Sequence, residues 1–180
     1  VSTTRPESQT RTRIEPLTTI EAEALASPIN APSIRQVATS YRVSSTVVAE
    51  GESTSLSITG ASSNYADVVS WDVLYGNFIS EADSLANARV AVLGLDVVET
   101  LYGERDFNAS GQSIRINERS FTVIGVMSER GGTFFSEDNV VFIPITTAQT
   151  RLANARTRDG GYQVNTIYVE VLNEDVIEKR

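Results

Sequence analysis

The side chains of this sequence that could act as catalytic acids and bases are three pairs of neighbouring carboxylates: Glu81/Asp83, Glu137/Asp138 and Glu174/Asp175. Two carboxyl groups at one site can serve as a general acid and a general base. The chain carries 23 acidic residues, so such pairs are expected even without a function. Because all three pairs lie in polar stretches, we interpret them as solvated surface groups and predict no catalytic residue.

Two residue types that dominate enzyme chemistry, cysteine and histidine, are absent from the sequence. The chain therefore has no thiolate nucleophile, no Cys/His zinc site and no imidazole base for a serine nucleophile. The only lysine, Lys179, is not preceded by the glycines of an ATP-binding phosphate loop. Residues 159–161 offer a calcium ion a single carboxylate. We predict that the chain is not an enzyme and binds no cofactor or metal.

The overall charge of the chain is unfavourable for binding polyanions. Lys and Arg number 15 against 23 Asp and Glu, which gives a formal net charge of −8. Nucleic acids and anionic membranes attract clustered cations, so we predict no nucleic-acid partner. With 180 residues, of which 41% are hydrophobic, the composition is typical of a globular domain.

Phe134 and Phe135 are the candidate contact residues of the chain. They lie beside Gly131 and Gly132 in the polar stretch over 128–138. Two interpretations are open at this point: a ring is packed into the domain, or the rings form a contact surface for a partner. We therefore propose these two residues as the candidate partner contact.

The pattern of apolar residues predicts the elements that position these groups. Residues 1–16 contain almost nothing apolar and are predicted to be a mobile tether. Thr18 and Glu21 form a capping-box signature at the start of a helix. Alternation over 37–47, a turn at 50–52 and a second alternation over 53–59 predict a hairpin whose first strand has one buried face. Residues 62–78 are predicted to be a short helical turn followed by a loop.

The apolar pattern also predicts the elements of the second part of the chain. Continuous apolar runs at 89–94 and 140–143 predict two buried strands. A helix over 96–101 ends before Gly103, a residue type that adopts the left-handed conformation common at helix ends. Residues 113–116 and 120–127 predict a second hairpin. We expect a short helix to Leu152, a strand over 164–172 and a last helix over 174–180 to follow.

Several stretches, in this order and spacing, resemble the MacB-like extracytoplasmic domain of ABC transporter permeases, a family that includes the lipoprotein-releasing permeases. The stretches are LTTIEAEA at 17–24, NYADV at 64–68, YGNF at 75–78, RVAVLG at 89–94, LYG at 101–103, GQSIRIN at 111–117, FTVIGV at 121–126, VFIP at 141–144 and TIYV at 166–169. The sequence departs from the family pattern at Asn77, where arginine is usual, and in the longer turn over 107–111.

The resemblance implies an α+β fold with two lobes. The porter-like βαβ lobe would be built from residues 17–64 and 140–180, and a smaller, hairpin-rich lobe would be inserted over 65–139. In such proteins this domain lies on the extracytoplasmic side of the cell membrane, between two membrane spans of the permease. The chain would then continue at both ends.

The resemblance also implies a function and partners. The domain would transmit ATP-driven conformational change from the cytoplasmic ATPase to the outer side, without being catalytic itself. Its partners would be a second copy of the permease, the ABC ATPase, and an adaptor or extracytoplasmic substrate. The alternative is a stand-alone extracellular binding or adhesion module that uses the Phe134 loop. Apolar spans of about 20 residues on both sides of this segment would distinguish the two.

Overall fold

The computed structural model describes residues 17–26, 34–132, 136–158 and 160–171. The strands are β1 (Ile34–Ala49), β2 (Glu52–Ala61), β3 (Val73–Gly76), β4 (Val90–Leu93), β5 (Ser113–Ile116), β6 (Arg119–Met127), β7 (Val141–Pro144) and β8 (Thr166–Val171). The helices are α1 (Thr19–Ala26), α2 (Tyr65–Val68), α3 (Glu81–Leu85), α4 (Leu95–Tyr102) and α5 (Ile145–Thr147), the last extended by a π-helical turn, Ala148–Leu152. No helix within the described ranges is long and apolar enough to cross a membrane. The predicted tether and the predicted last helix fall outside those ranges.

Six of the eight strands pair in a closed circuit. Around it, β1 pairs with β2, β2 with β7, β7 with β4, β4 with β6, β6 with β5, and β5 again with β1. The β2–β7 and β4–β6 pairs are parallel, and the other four are antiparallel. Strand β8 extends the sheet from β1, and β3 extends it from β6. The circuit therefore forms a small barrel with a strand added at two places.

The barrel interior is filled mainly by aliphatic side chains and closed by α4. Side chains from all six strands of the circuit form one buried cluster, which includes Ile58, Leu93 and Phe121. Four residues of α4 complete the cluster: Leu95, Val97, Val98 and Leu101. The helix ends before Gly103, whose φ of 81° is left-handed, as the sequence predicts.

A second, aromatic cluster lies on the other face of the same strands. Phe142 of β7 is at its centre, with the ring centroids of Tyr65, Trp71 and Phe78 at 5.2, 5.5 and 5.6 Å. Val92 of β4 also belongs to this cluster. Strands β4 and β7 are therefore buried on both faces, which explains why their sequences are continuous apolar runs and confirms that prediction.

Strand β1 has a different burial pattern from the one predicted. Its odd-numbered positions do face the barrel, where Val47 and Ala49 are buried. Near its other end, however, the even-numbered Ala38 and Ser40 are buried. Ala38 packs in the aromatic cluster, because this half of the strand lies beside β8 and beyond the barrel. The prediction of one buried face is therefore wrong for the first half of the strand.

Two elements lie where the sequence pattern predicts none. Residues 73–76, interpreted as loop, form β3, because they pair with the end of β6 rather than with a neighbour in sequence. Helix α3 begins at a capping box in which Ser80 and Asp83 exchange hydrogen bonds. That serine-x-x-aspartate spacing is a readable helix signal, whereas the non-local pairing of β3 is not.

Candidate interaction site

The loop over 128–138 joins β6 to β7 at one end of the barrel. Phe134 and Phe135, the residues proposed as a partner contact, lie outside the described residues. The structure does describe both sides of the loop, at 128–132 and 136–138. We refer to these two segments as the loop base. The site is built from the contacts of the loop base with the barrel.

The first side of the loop base rests on the only tryptophan of the chain. The Trp71 indole N–H donates a hydrogen bond of 2.9 Å to the carbonyl oxygen of Ser128. The Arg130 guanidinium lies over the Trp71 ring, 4.9 Å from its centroid, in a cation–π arrangement. Arg130 also pairs with Glu137 at 3.2 Å, across the loop base. These contacts fix the direction in which the chain leaves β6.

Asp138 fixes the second side. Its side chain is fully buried, and its carboxylate oxygens accept hydrogen bonds from the backbone N–H groups of Arg130 and Gly131 at 2.8 and 3.0 Å. The prediction that this carboxylate is solvated is therefore wrong. A buried carboxylate needs hydrogen-bond donors, and the turn at Arg130 and Gly131 supplies two of them. Gly94 permits this packing, since a Cβ there would lie 2.1 Å from the Asp138 carbonyl oxygen.

Arg105 joins the loop base to α4. Its Nη1 donates a hydrogen bond to the Asp96 carboxylate and lies 3.5 Å from the Glu99 carboxylate. Its Nη2 lies 3.2 Å from Glu129 and 3.1 Å from Asp138. One guanidinium thus bridges two carboxylates of α4 and two of the loop. We call this set of five residues the Arg105 cluster.

The electrostatics of the cluster favour the charged forms. A hydrogen bond from Ser136 and the hydrogen-bonded ion pair with Arg105 hold the pKa of Asp96 below its usual value. The same pair raises the pKa of Arg105, so this guanidinium stays charged. A general acid would need a carboxyl group whose pKa is raised. The pKa of Asp96 is instead lowered.

The other sequence candidates have local structural contacts. Glu81 is exposed in α3, and Asp83 forms the capping box of that helix. Asp159, Glu174 and Asp175 lie outside the described residues. The structure therefore brings Glu137 and Asp138 into the site and leaves Glu81 and Asp83 apart from it.

Sequence reasoning missed the structural roles of three residues of the site. Arg105 follows α4 in a polar segment and carries no motif. Trp71 lies in a stretch interpreted as loop, and its large apolar side chain was the available sequence signal for the burial that the structure shows. Asp138 looks like any surface carboxylate until the chain folds back onto its own backbone at Arg130. Their contacts span separations of 33 residues for Arg105 and Asp138 and 57 for Trp71 and Ser128.

Fold and site together define a class: a strand-rich α/β domain with an anchored surface loop at one end of a barrel. The chain belongs to the MacB-like periplasmic core domain family, whose family model matches residues 1–179. This confirms the family expected from the sequence. Of the expected α+β fold with two lobes, the mixed, strand-rich character is confirmed.

Two curated relatives, both export proteins by name, are similar to part of this chain. The macrolide export ATP-binding/permease protein MacB of Wolinella succinogenes is 40% identical over 103 residues, which are 56% of this chain and 15% of that protein. The pyoverdine export ATP-binding/permease protein PvdT of Pseudomonas syringae pv. tomato is 37% identical over 95 residues, 52% of this chain and 14% of that protein. The chain thus covers 14 to 15% of the length of these relatives.

A solved structure has the same fold. The periplasmic region of MacB from Actinobacillus actinomycetemcomitans superposes with a TM-score of 0.72, over 94% of this chain and 73% of that chain. The sequence identity is 24%, so this similarity concerns the fold alone.

Proposed function

We propose that the chain is the extracytoplasmic domain of an ABC-type permease, located on the outer side of the cell membrane. In this role it transmits ATP-driven conformational change from the cytoplasmic ATPase to the outer side, and it is not catalytic itself. The observation that carries the proposal is the match of the MacB-like periplasmic core domain over residues 1–179. The two relatives described above are both named as ATP-binding/permease proteins.

The connection between α1 and β8 supports a mechanical role. The N–H of Val164 donates to the carbonyl oxygen of Leu17 at 2.8 Å, and the N–H of Thr19 donates to that of Tyr162 at 2.9 Å. Strand β8 follows directly and is paired with β1 over Ile34–Ser40. A displacement of the first helix therefore passes through backbone hydrogen bonds into the sheet. A closed strand circuit deforms less readily than separate elements, so it moves as a body.

The two-lobed organisation is part of the same proposal. One lobe comprises residues 17–64 and 140–180, and the inserted lobe comprises residues 65–139. Strand pairs cross this division, since β7 pairs with β4 and β1 pairs with β5. We therefore propose lobes that are joined by hydrogen-bonded strands and move together.

The proposed partners are a second copy of the permease, the ABC ATPase, and an adaptor or extracytoplasmic substrate. Relatives of similar identity are named for different exported compounds, macrolides in one case and pyoverdine in the other. For this reason the proposal includes export but names no substrate.

The permease assignment is tested by sequencing the gene on both sides of this segment. The proposal expects an apolar stretch of about 20 residues on each side, the length that a helix needs to cross a bilayer. Flanks without such stretches would contradict the assignment and favour the stand-alone binding module.

The proposed contact residues are tested by changing Phe134→Ser and Phe135→Ser together in the full-length permease. If the rings contact a partner, transport falls while the melting temperature of the 180-residue domain stays within about 5 °C of the original. Leu85→Ser is the matched control, since Leu85 is 81% exposed on α3. A larger drop in melting temperature for the double variant would instead place the rings in the core and end the contact hypothesis.

A further inference from the structure

The described part of the loop over 128–138 is attached to the barrel by polar contacts. Its one fully buried side chain is that of Asp138, and the other described residues of the loop are exposed or half-buried. Neither hydrophobic cluster includes a described residue of this loop. Segments with few buried apolar contacts open at lower free energy than the core does. Among the described residues, it is therefore polar contacts that hold the loop base in place.

Those contacts fall into two groups. One group lies within the loop base, where Asp138 accepts from the N–H groups of Arg130 and Gly131, and the Glu137 N–H donates to the Gly131 carbonyl oxygen at 3.0 Å. These bonds close the loop base on itself. The other group joins the loop base to the barrel, and Arg105 supplies its charged contacts with Glu129 and Asp138.

We propose that Arg105 acts as an ionic clamp that fastens the loop base to α4, and that the loop base detaches while the barrel stays folded when this clamp is broken. The planar guanidinium reaches the α4 carboxylates through Nη1 and the loop carboxylates through Nη2. A lysine ammonium is a point charge without this fork, so it cannot bridge both sides in the same way. The inference concerns the folded domain and does not depend on the proposed function.

The burial of Asp138 makes the loop base sensitive to the loss of Arg105. The side chain of Asp138 has no exposed surface, whereas that of Arg105 is 30% exposed. Removing Arg105 leaves a fully buried carboxylate without its charged partner, close to three further carboxylates. Such a group regains water only if the loop base moves out, because α4 and the barrel occupy the other side. The favourable response is local opening, since neither buried hydrophobic cluster includes a described residue of the loop.

Trp71 makes this opening visible. It is the only tryptophan, it is buried beneath Arg130, and its N–H is bonded to Ser128. Detachment of the loop base removes the Arg130 cation and exposes the indole ring to water. Fluorescence of the unmodified chain therefore reports on the loop base, with no added probe.

The experiment compares Arg105→Gln with Arg119→Gln, a matched control at an exposed arginine of β6. Amide hydrogen exchange is measured by NMR on the 180-residue chain, together with the emission and acrylamide quenching of Trp71. We expect the Arg130 and Gly131 amides to exchange at least about tenfold faster in Arg105→Gln, with barrel amides of β4 and β7 unchanged. The Trp71 emission shifts to longer wavelength in the same variant, and Arg119→Gln behaves like the original chain.

Arg105→Lys guards against failure of the first variant to fold. It keeps the charge and loses the fork, so we expect exchange at Arg130 and Gly131 between that of the original chain and that of Arg105→Gln. Unchanged exchange at these two amides in both variants would overturn the clamp. Equal acceleration of loop and barrel amides would also overturn it, because the loop base would then open only when the whole domain unfolds.

Discussion

Replacing Phe142 by alanine tests whether the closed strand circuit makes the two proposed lobes one cooperative unit. Phe142 lies on β7, which pairs with β2 on one side and β4 on the other. Its side chain is 1% exposed, and three aromatic rings surround it within 5.6 Å. The substitution therefore removes packing next to strand pairs that connect the two proposed lobes.

The expected loss follows from this environment. Replacing a buried phenylalanine by alanine costs about 3–5 kcal/mol, and three aromatic neighbours place this site near the middle or upper part of that range. We expect the free energy of unfolding to fall by about 4 kcal/mol, which for a domain of this size lowers the melting temperature by about 8–16 °C. The control is Leu85→Ala at an 81% exposed position, where the change stays within about 0.5 kcal/mol.

The assay is urea and thermal unfolding followed by two signals. Far-UV circular dichroism reports on all strands, and Trp71 fluorescence reports on the aromatic cluster, where Trp71 lies 5.5 Å from Phe142. We expect a single transition that coincides for both signals in the original chain and in Phe142→Ala. A loss below about 1.5 kcal/mol would refute the packing argument. Two separate transitions would refute the claim that the lobes unfold together.

Two further predictions concern acid stability and one glycine. Because Ser136 and Arg105 lower the pKa of Asp96 in the folded chain, its contribution to stability is fully present above the unfolded value of 3.8 and is lost as the pH falls through the lower folded value. Urea unfolding of Asp96→Asn at pH 6 and pH 3 should show a smaller loss on acidification than the original chain, and an equal loss would count against this ion pair. Gly76 has a φ of 72°, and a Cβ there would lie 2.1 Å from the Ile124 carbonyl oxygen, so Gly76→Ala should cost about 2 kcal/mol or more. Gly51→Ala is the matched control, with a φ of 78° and open space around it, and an equal loss in both variants would exclude the close contact as the cause.

Local sequence signals predicted the elements whose pairing partners are near in sequence or whose burial is complete. The hairpins β1–β2 and β5–β6 have turns of few residues, so alternation on both sides was enough. Strands β4 and β7 were readable because both of their faces are buried. Strand β3 was not, since its four residues become a strand only through pairing with β6, and half of them are exposed.

The site was less predictable than the fold for a physical reason. Asp138 is buried because the backbone of Arg130 and Gly131 turns toward it and because Arg105 arrives from a separate segment. Neither condition can be predicted from the residues next to Asp138, which are polar and typical of a surface loop. The neighbouring carboxylate, Glu137, stays largely exposed, with a side chain 58% accessible. Composition therefore predicts that both carboxylates are solvated, whereas the fold buries Asp138 and leaves Glu137 exposed.

The charge of the chain explains why one arginine carries so much of this arrangement. Four carboxylates converge at the Arg105 cluster from α4 and the loop, in a chain whose net charge is already −8. Carboxylates gathered around one guanidinium repel one another, so the positive charge of Arg105 favours the packing of the loop base against α4. Glycine at position 94 allows the close approach of the backbone, and arginine at position 105 makes that approach electrostatically favourable. The buried Asp138 carboxylate then holds the loop backbone, so in this domain a carboxylate that could have served acid–base chemistry is used to position a surface loop.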